Sequence, residues 1–347
     1  MKIKWGVIGC GGIADRRTIP GLLLADNAEL VAVMDTNADA AKKVAQKYGV
    51  EKYSDNIDDI LSIDELDAVY IATPVFCHKE QCMAAARAKK HILVEKPIGI
   101  NVAEAEEIAE FCRREGVRFG AGFMMRFHAY HQKMRELISE GRLGELVSAR
   151  AQFTCWYPVI ENCWRQDVKL SGGGAMMDMG IHCIDLIRYI TGLEAESVTA
   201  MTGNQIFDYS VEDAGAAVFR MQNGALCYVD ASFNIPDAAA VCKLEFYGTK
   251  GSICAEGTIS QVEGGKVTAL CVEDAGDYDA AQTRGEVRPL ELSVDFGNMY
   301  QKEIEGFGRA IAENTELPVT AEDAIRSQRA IEAVYKSSRE RKAISVK

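Results

Sequence analysis

Three polar side chains spaced along a largely apolar segment have the clearest chemical potential. Asp178, His182 and Asp185 are separated by four and three residues, so on a helix they share one face. An unperturbed histidine has a pKa of about 6.5 and can accept a hydroxyl proton at neutral pH. His182 is therefore predicted to be a general base, with Asp178 binding a substrate hydroxyl and Asp185 orienting the imidazole. A satisfied structural histidine is the alternative.

A glycine-rich turn near the amino terminus is a second candidate site. Gly9, Gly11 and Ala14 follow a short apolar strand and fit the G-x-G-x-x-G/A spacing that opens a helix beneath a dinucleotide pyrophosphate. Free N–H groups and the helix dipole favour an anion at that position. The predicted cofactor-binding residues of the turn are Gly9, Gly11, Gly12 and Ile13. Pro20 is expected to interrupt or kink the helix.

Asp35 indicates which dinucleotide binds at this turn. It lies at the end of the second predicted strand, where a carboxylate accepts hydrogen bonds from the adenosine ribose. The same carboxylate would repel a 2′-phosphate, and Thr36-Asn37 offers no arginine to bind one. The sequence thus favours NAD over NADP. The alternative is that Asp35 only caps the helix that follows.

Composition excludes several classes of partner and site. The 347 residues exceed the usual size of one core, so two domains are expected. A formal net charge of −12 with scattered basic residues argues against nucleic acid and anionic membranes as partners. No apolar run is long enough to span a bilayer and no export signal is recognisable, so we expect a cytoplasmic protein. The 11 cysteines lack a C-x-x-C pair, which argues against disulfides and a metal site.

The first 120 residues alternate short strands with helices, a pattern typical of a parallel sheet. The predicted strands are residues 3–8, 29–34, 68–72, 91–94 and 118–121, and the predicted helices between them include residues 38–48, 79–88 and 102–115.

After residue 124 the pattern changes to one helix, over 130–140, followed by long strands. Asn223-Gly224 and Gly248-Thr249-Lys250-Gly251 are hairpin signals typical of an antiparallel sheet. The strands that they join are predicted over 211–221, 225–233, 241–247 and 252–254. Two amphipathic helices, 299–313 and 321–336, are predicted to close the chain.

Three motifs together resemble the glucose-fructose oxidoreductase, inositol dehydrogenase and rhizopine-catabolism (Gfo/Idh/MocA) family. They are Ala72-Thr73-Pro74 with His78, Glu95-Lys96-Pro97, and the segment from Asp178 to Asp185. The resemblance implies an α/β fold class, with a Rossmann NAD-binding domain over residues 1–123. A substrate-binding α/β domain over 124–347 would contain a large, mostly antiparallel sheet. This sheet commonly forms the oligomer interface, so a homodimer or homotetramer is expected, and the C-terminal helices are candidates to pack back toward the first domain.

The resemblance also implies roles for particular residues. Lys96 follows the fourth long strand at the carboxyl edge of the sheet, where it would hold a proton relay and stabilise negative charge on a substrate oxygen. A surface lysine in a turn is the alternative. The further cofactor-binding residues implied are Thr73, Pro74, His78, Glu95, Lys96 and Arg165. The substrate-binding residues implied are Lys96, Arg126, Trp164, Asp178 and His182, and Tyr300 is a weaker candidate for the same cleft.

The sequence therefore predicts an NAD-dependent oxidoreductase that moves a hydride between nicotinamide and a secondary-alcohol carbon of a sugar, cyclitol or related polyol. One alternative is a glycosidase of the same family that uses NAD transiently. Another is a sugar- or dinucleotide-sensing regulator without turnover, which would need none of Lys96, Asp178 and His182. The motifs do not identify the substrate.

Overall fold

The computed structural model describes residues 2–274, 276–278, 280–281 and 287–346. They divide into two compact units. The first comprises residues 1–127, 162–172 and 297–328, and the second comprises residues 128–161, 173–296 and 329–347. Segments 162–172 and 297–328 thus pack with the Rossmann part of the chain. A domain boundary between residues 123 and 124 stays a prediction. The two compact units divide the chain differently, because each contains several separate segments.

The strands and helices are bounded as follows. The strands of the first unit are β1 (Ile3–Ile8), β2 (Ala28–Met34), β3 (Lys52–Ser54), β4 (Ala68–Ile71), β5 (His91–Glu95) and β6 (Phe119–Gly122). Those of the second are β7 (Leu146–Thr154), β8 (Ala195–Gly203), β9 (Ala214–Met221), β10 (Leu226–Ser232), β11 (Lys243–Gly248), β12 (Gly251–Glu256), β13 (Lys266–Cys271) and β14 (Ile344–Ser345). The helices are α1 (Ile19–Leu24), α2 (Ala38–Tyr48), α3 (Ile57–Leu61), α4 (His78–Arg87), α5 (Val102–Glu115), α6 (Ala129–Ser139), α7 (Val168–Ser171), α8 (Ile181–Thr191), α9 (Met299–Glu313) and α10 (Ala321–Glu340).

The first unit contains a parallel sheet with strand order β3-β2-β1-β4-β5-β6. Strands β1 and β4 are apolar and buried along almost their whole length, as expected for strands covered on both faces. The order reverses between β1 and β4, and ligands of such sheets bind beyond the carboxyl ends of the strands at this point. The predicted Rossmann-type architecture is confirmed.

Local capping signals fix two helices of the first unit at their predicted bounds. The Asn37 side chain accepts hydrogen bonds from the first turn of α2, and Gly49 ends that helix with a φ of +69°. Asn101 and Gly116 do the same for α5. An asparagine before and a left-handed glycine after a helix satisfy backbone groups that the helix leaves unpaired, which explains why both helices were predictable from sequence.

The helix after the glycine turn continues past Pro20, so the predicted interruption is wrong, whereas the predicted kink stays a prediction. Pro20 neither interrupts nor ends it, because residues 12–24 are helical throughout. Residues Ala14–Thr18 form a π-helical turn immediately before α1, and Pro20 lies in the first turn of α1. A proline removes one N–H donor and crowds the carbonyl four residues earlier. The wider π turn is a known way for a helix to accommodate such a local defect.

The second unit contains an eight-stranded sheet with order β13-β12-β11-β7-β10-β9-β8-β14 among the residues that the structure describes. Neighbouring strands are antiparallel except for the parallel pair β7 and β10. Gly224, at φ +88°, lies in the β9–β10 hairpin, and Gly248 pairs with Gly251 across the β11–β12 turn. Both predicted hairpins and the mostly antiparallel sheet are confirmed.

Within the described parts of the chain, no helix is sufficiently long and apolar to cross a membrane.

Candidate active site

The glycine turn at the end of β1 has the backbone that its motif predicts. Gly9 has a φ of +95°, and a Cβ atom there would lie 2.9 Å from the Thr73 side chain, so only glycine fits. A Cβ on Gly11 would meet no described atom within 4 Å, which leaves its backbone open to a ligand. The Arg16 guanidinium lies against Gly12, 2.7 Å from where a Cβ would be. This positive group at the turn was not singled out from sequence.

Asp35 connects the glycine turn to the end of β2. One carboxylate oxygen accepts from the Cys10 backbone N–H at 2.8 Å, and the other accepts from the Asn37 backbone N–H at 2.9 Å. The cap of α2 is provided by Asn37, so Asp35 is not simply the cap of this helix. A carboxylate has about four acceptor positions, which leaves capacity for ribose hydroxyls.

The Cys10 thiol in this turn is buried. Burial, with a further contribution from Asp35, raises its pKa to about 12. The thiol is therefore protonated at neutral pH and is a poor nucleophile.

His78 joins the loops that follow β4 and β5. Its Nε2 lies 3.0 Å from the Thr73 carbonyl oxygen and its Nδ1 lies 3.0 Å from that of Pro97. Burial lowers the pKa of His78 to about 4, against the opposing effect of these carbonyls. The neutral ring has one N–H and donates to one of these carbonyl oxygens at a time. His78 thus lies between Thr73-Pro74 and the Lys96-Pro97 loop, and direct contact between His78 and a cofactor stays a prediction.

Glu95 and Lys96 lie at the carboxyl end of β5. The Tyr70 hydroxyl donates to Glu95 at 2.8 Å. Burial raises the pKa of Glu95, and the Tyr70 hydrogen bond and the charges of Lys96 and Arg165 oppose that rise. Lys96 is half-buried in the bend that follows β5, and its charge acts on the Glu95 carboxyl group. Its action on a substrate oxygen stays a prediction.

Three further predicted residues lie in short turns of the first unit. The Arg165 guanidinium lies 4.5 Å from the centre of the Trp164 ring, and its charge acts on Glu95, so this pair belongs to the Lys96 region. Arg126, by contrast, is buried and lies 3.6 Å from the Asp323 carboxylate of α10. A structural ion pair accounts for Arg126, and its contact with a substrate stays a prediction.

In the second unit, Asp178 and His182 lie on one continuous helical segment whose first part is not α-helical. Met176–Gly180 forms a π-helical turn, and α8 follows without a break. The prediction that Asp178 and His182 share one helix face assumes α-helical geometry. The π turn changes that geometry at Asp178. Asp178 is half-buried and its charge raises the pKa of Cys155, after the larger effect of burial. His182 is buried, with Phe153 edge-on at a ring-centre distance of 6.3 Å.

A buried carboxyl group fixes the start of this helical segment. Glu212 accepts from the backbone N–H groups of Gly174 and Met176, both at 2.9 Å, and from the Tyr335 hydroxyl at 2.7 Å. The Tyr335 hydroxyl in turn accepts from the Met177 N–H at 3.1 Å. Acceptors at a helix N-terminus satisfy donors that the helix leaves unpaired. Burial raises the pKa of Glu212 and these three donors oppose the rise.

Glycines make this contact possible, because a Cβ on Gly173 would lie 2.1 Å from the Tyr335 hydroxyl and one on Gly174 would lie 2.0 Å from the Glu212 carbonyl. These glycines belong to the run Ser171-Gly172-Gly173-Gly174, which precedes the helical segment in the sequence. Its partners Glu212 and Tyr335 are distant in sequence, and no local pattern points to them.

Asp185 forms an ion pair that the sequence did not predict. It is buried and lies 3.8 Å from the Arg188 guanidinium, which also binds Glu194 through two hydrogen bonds of 2.7 and 2.9 Å. These contacts hold the C-terminal half of α8. Orientation of the imidazole by Asp185 stays a prediction.

Comparison with protein families gives two matches along the chain. Residues 3–123 match the model of an oxidoreductase family with an NAD-binding Rossmann fold. Residues 131–254 match a GFO/IDH/MocA C-terminal domain.

Individual relatives cover nearly the whole chain. A 1,5-anhydro-D-fructose reductase from Ensifer adhaerens is 30% identical over 96% of this chain and 96% of its own. A D-xylose 1-dehydrogenase (NADP(+)) from Haloferax volcanii is 26% identical over 97% of both chains. Among solved structures, an aldose-aldose oxidoreductase from Caulobacter crescentus, complexed with glycerol, has a TM-score of 0.89 at 25% identity, with 99% of this chain and 100% of that chain covered.

Proposed function

Because the chain belongs to the Gfo/Idh/MocA family of oxidoreductases, we propose that it catalyses NAD-dependent hydride transfer at a secondary-alcohol carbon of a sugar, cyclitol or related polyol. The observation that carries this proposal is the arrangement at the carboxyl edge of the parallel sheet. The glycine turn, Asp35 and Lys96 follow β1, β2 and β5. A dinucleotide site and a cationic group suited to a substrate oxygen therefore share one edge.

The residues of the glycine turn fit a dinucleotide. The open backbone at Gly11 and the helix that begins at Gly12 would hold the pyrophosphate, and Asp35 would bind the adenosine ribose. When bound, the nicotinamide supplies the acceptor for the hydride of the carbinol carbon. The protein supplies binding, orientation and proton transfer.

Asp35 favours NAD over NADP in this proposal, because a carboxylate repels a 2′-phosphate. The Haloferax volcanii relative is named for NADP(+), so preference varies among similar chains. Arg16, at the glycine turn, is a second feature that bears on phosphate binding. The affinities of this chain for NAD and for NADP are therefore to be measured side by side.

Three side chains are assigned to the proton chemistry. His182 takes the hydroxyl proton of the substrate as general base. Asp178 binds a substrate hydroxyl, and the Lys96 ammonium stabilises negative charge that develops on the reacting oxygen. A homodimer or homotetramer completes the proposal, on the basis of the family resemblance.

A substrate screen tests the proposal directly. Purified protein with NAD, and in parallel with NADP, would be offered cyclitols, aldoses, aminosugars and dihydrodiols, and reduced nicotinamide would be followed by its absorbance. We expect net reduction with NAD for at least one class, and its loss in Lys96→Ala. Release of an aglycone from glycosides without net reduction would instead favour transient use of NAD. Tight NAD binding without turnover of any kind would favour a sensing role.

A further inference from the structure

The glycine turn of the first unit carries a positive side chain that its sequence motif does not include. The Arg16 guanidinium lies over Gly12, with Nη2 and Nη1 at 2.7 and 2.8 Å from where a Cβ atom of that glycine would be. Arg16 follows Gly12 by four residues in the same helical segment, and helical side chains lean toward the N-terminus of their helix. The guanidinium therefore returns to the turn at which the helix begins.

The acidic side chains of this turn and its helix are bound to groups other than Arg16. Asp15 pairs with Lys47 at 2.8 Å, and this hydrogen bond lowers the pKa of Asp15. Asp35 accepts from two backbone N–H groups, at 2.8 and 2.9 Å. Among the residues that the structure describes, no carboxylate is paired with Arg16. A positive charge without a protein counter-charge thus lies at the glycine turn.

The next residue along the chain has different surroundings. Burial raises the pKa of Tyr300 well above its ordinary value, and the charge of Arg17 opposes that rise. Tyr300 is buried and packs against α1, where a Cβ atom on Gly21 would lie 2.6 Å from the Tyr300 Cβ. Arg17 therefore acts toward the packing between α1 and α9, whereas Arg16 is exposed at Gly12. Of these two arginines, Arg16 is the one that a ligand at the turn can reach.

The backbone beside Arg16 is open and rich in donors. A Cβ atom on Gly11 would meet no described atom within 4 Å. The Asp15 N–H donates to the Gly11 carbonyl oxygen at 2.9 Å, so the N–H groups just before Asp15 are those that a helix leaves unpaired. Such groups favour an anion. A guanidinium adds a planar set of N–H donors whose geometry matches two phosphate oxygens at once.

We propose that Arg16 binds the pyrophosphate of the dinucleotide, so that the glycine turn holds this group by a side-chain charge as well as by backbone N–H donors. The proposal rests on the proposed function. It separates two roles within one site, because Asp35 at the end of β2 would bind the adenosine ribose and Arg16 at Gly12 would bind the phosphates. NAD and NADP share the pyrophosphate, so Arg16 adds affinity for both and does not select between them.

Calorimetric titration with cofactor fragments tests this assignment without any substrate. The fragments are ADP, which carries the pyrophosphate, and adenosine, which has the ribose but no phosphate. Arg16→Ala should bind ADP, NAD and NADP about tenfold more weakly than the unmutated protein, the effect of losing a hydrogen bond between charged groups. Its affinity for adenosine should be unchanged. Because Arg16 is exposed and alanine is a good helix former, the fold should be retained.

Two further variants separate the guanidinium from general electrostatic attraction. Arg16→Lys keeps the charge but loses the planar fork, so its affinity for ADP should fall by about threefold. Lys43→Ala is the matched control, because Lys43 is an exposed cation of α2 whose charge reaches Asp15 beside Arg16. Its affinity for ADP should stay within about twofold of that of the unmutated protein.

Four outcomes would overturn the assignment of Arg16. The first two are an affinity for ADP that is unchanged in Arg16→Ala, and equal losses for ADP and adenosine, which would indicate a structural role in the turn. The others are a loss confined to NADP, which would place Arg16 at the 2′-phosphate, and equal losses in Arg16→Ala and Lys43→Ala. If no substrate is turned over, the proposed function fails, but the ADP titrations still decide the role of Arg16.

Discussion

The two compact units hold their predicted reactive groups in different ways. In the first unit, Lys96 follows a strand, and groups from the adjacent strand β4 and from helix α4 after it support its loop. The Tyr70 hydroxyl donates to Glu95, and His78 Nδ1 lies 3.0 Å from the Pro97 carbonyl oxygen. In the second, His182 lies on a helix whose start is fixed by Glu212 and Tyr335, which are far away in the chain. The comparison shows that a reactive group can be held either by the ends of adjacent strands or by one buried carboxyl group at a helix N-terminus.

The largest effect on the reaction rate is expected from replacing His182 in the second unit. His182→Asn removes the proposed general base, so alcohol oxidation should fall by about 10²- to 10⁴-fold. The oxidation rate of the unmutated enzyme should rise with pH through the range in which a histidine titrates, because only neutral imidazole accepts a proton.

Two readouts accompany this substitution. NAD affinity, measured by fluorescence titration, should remain unchanged, and the pH inflection should be lost. If the inflection persists in His182→Asn, another group titrates and His182 has a binding or structural role.

A smaller effect on kcat is expected from removing a hydrogen bond between Glu212 and the start of that helix. Glu212→Gln replaces one acceptor oxygen by an amide N–H₂ group, which leaves a helix N–H without its acceptor. We expect a loss of about 1–3 kcal/mol in the free energy of unfolding and a fall of about tenfold in kcat, with NAD affinity retained.

The matched control for Glu212 is Glu194→Gln, because Glu194 binds Arg188 at the other end of the same helix. Its kcat should be close to that of the unmutated enzyme. Equal kcat losses in the two variants would show that general helix stability, rather than the fixed helix start, supports His182. Denaturant unfolding measured beside kcat separates the two effects.

The sequence predicted those parts of the fold that depend on local signals. Helix α2 begins after Asn37 and ends before Gly49, as predicted. Asn223-Gly224 forms the turn of the predicted hairpin. The π turns before Pro20 and at Asp178 were missed, because apolar periodicity was interpreted with α-helical geometry alone.

In the candidate site, local signals likewise placed some residues and not others, and their roles stay predictions. Gly9, Asp35 and Lys96 belong to short motifs, and the structure places all three at strand ends. Glu212 belongs to no local motif, since its significance comes from burial against segments distant in sequence. Such support becomes visible only after the chain has folded.

The smallest effect is expected on NAD affinity, from a substitution of Asp35 in the first unit. Asp35→Ser removes a charged acceptor and should weaken NAD binding about fivefold, equivalent to about 1 kcal/mol, while NADP binding changes less. Calorimetric titration of both dinucleotides measures the gap. Equal affinity of the unmutated protein for NAD and NADP would contradict the assigned role of Asp35.

Lys96→Ala tests the central claim most directly, namely that Lys96 acts on the substrate oxygen while other residues of its unit bind the dinucleotide. The measurement is the single-turnover rate of nicotinamide reduction with a substrate found in the screen, beside NAD affinity in the same samples. We predict a rate loss of about 10²- to 10³-fold, the effect of removing one group that stabilises charge on oxygen, in a variant that still binds NAD. A rate within a few-fold of that of the unmutated enzyme would contradict it, and Lys96 would then be a structural residue of its loop.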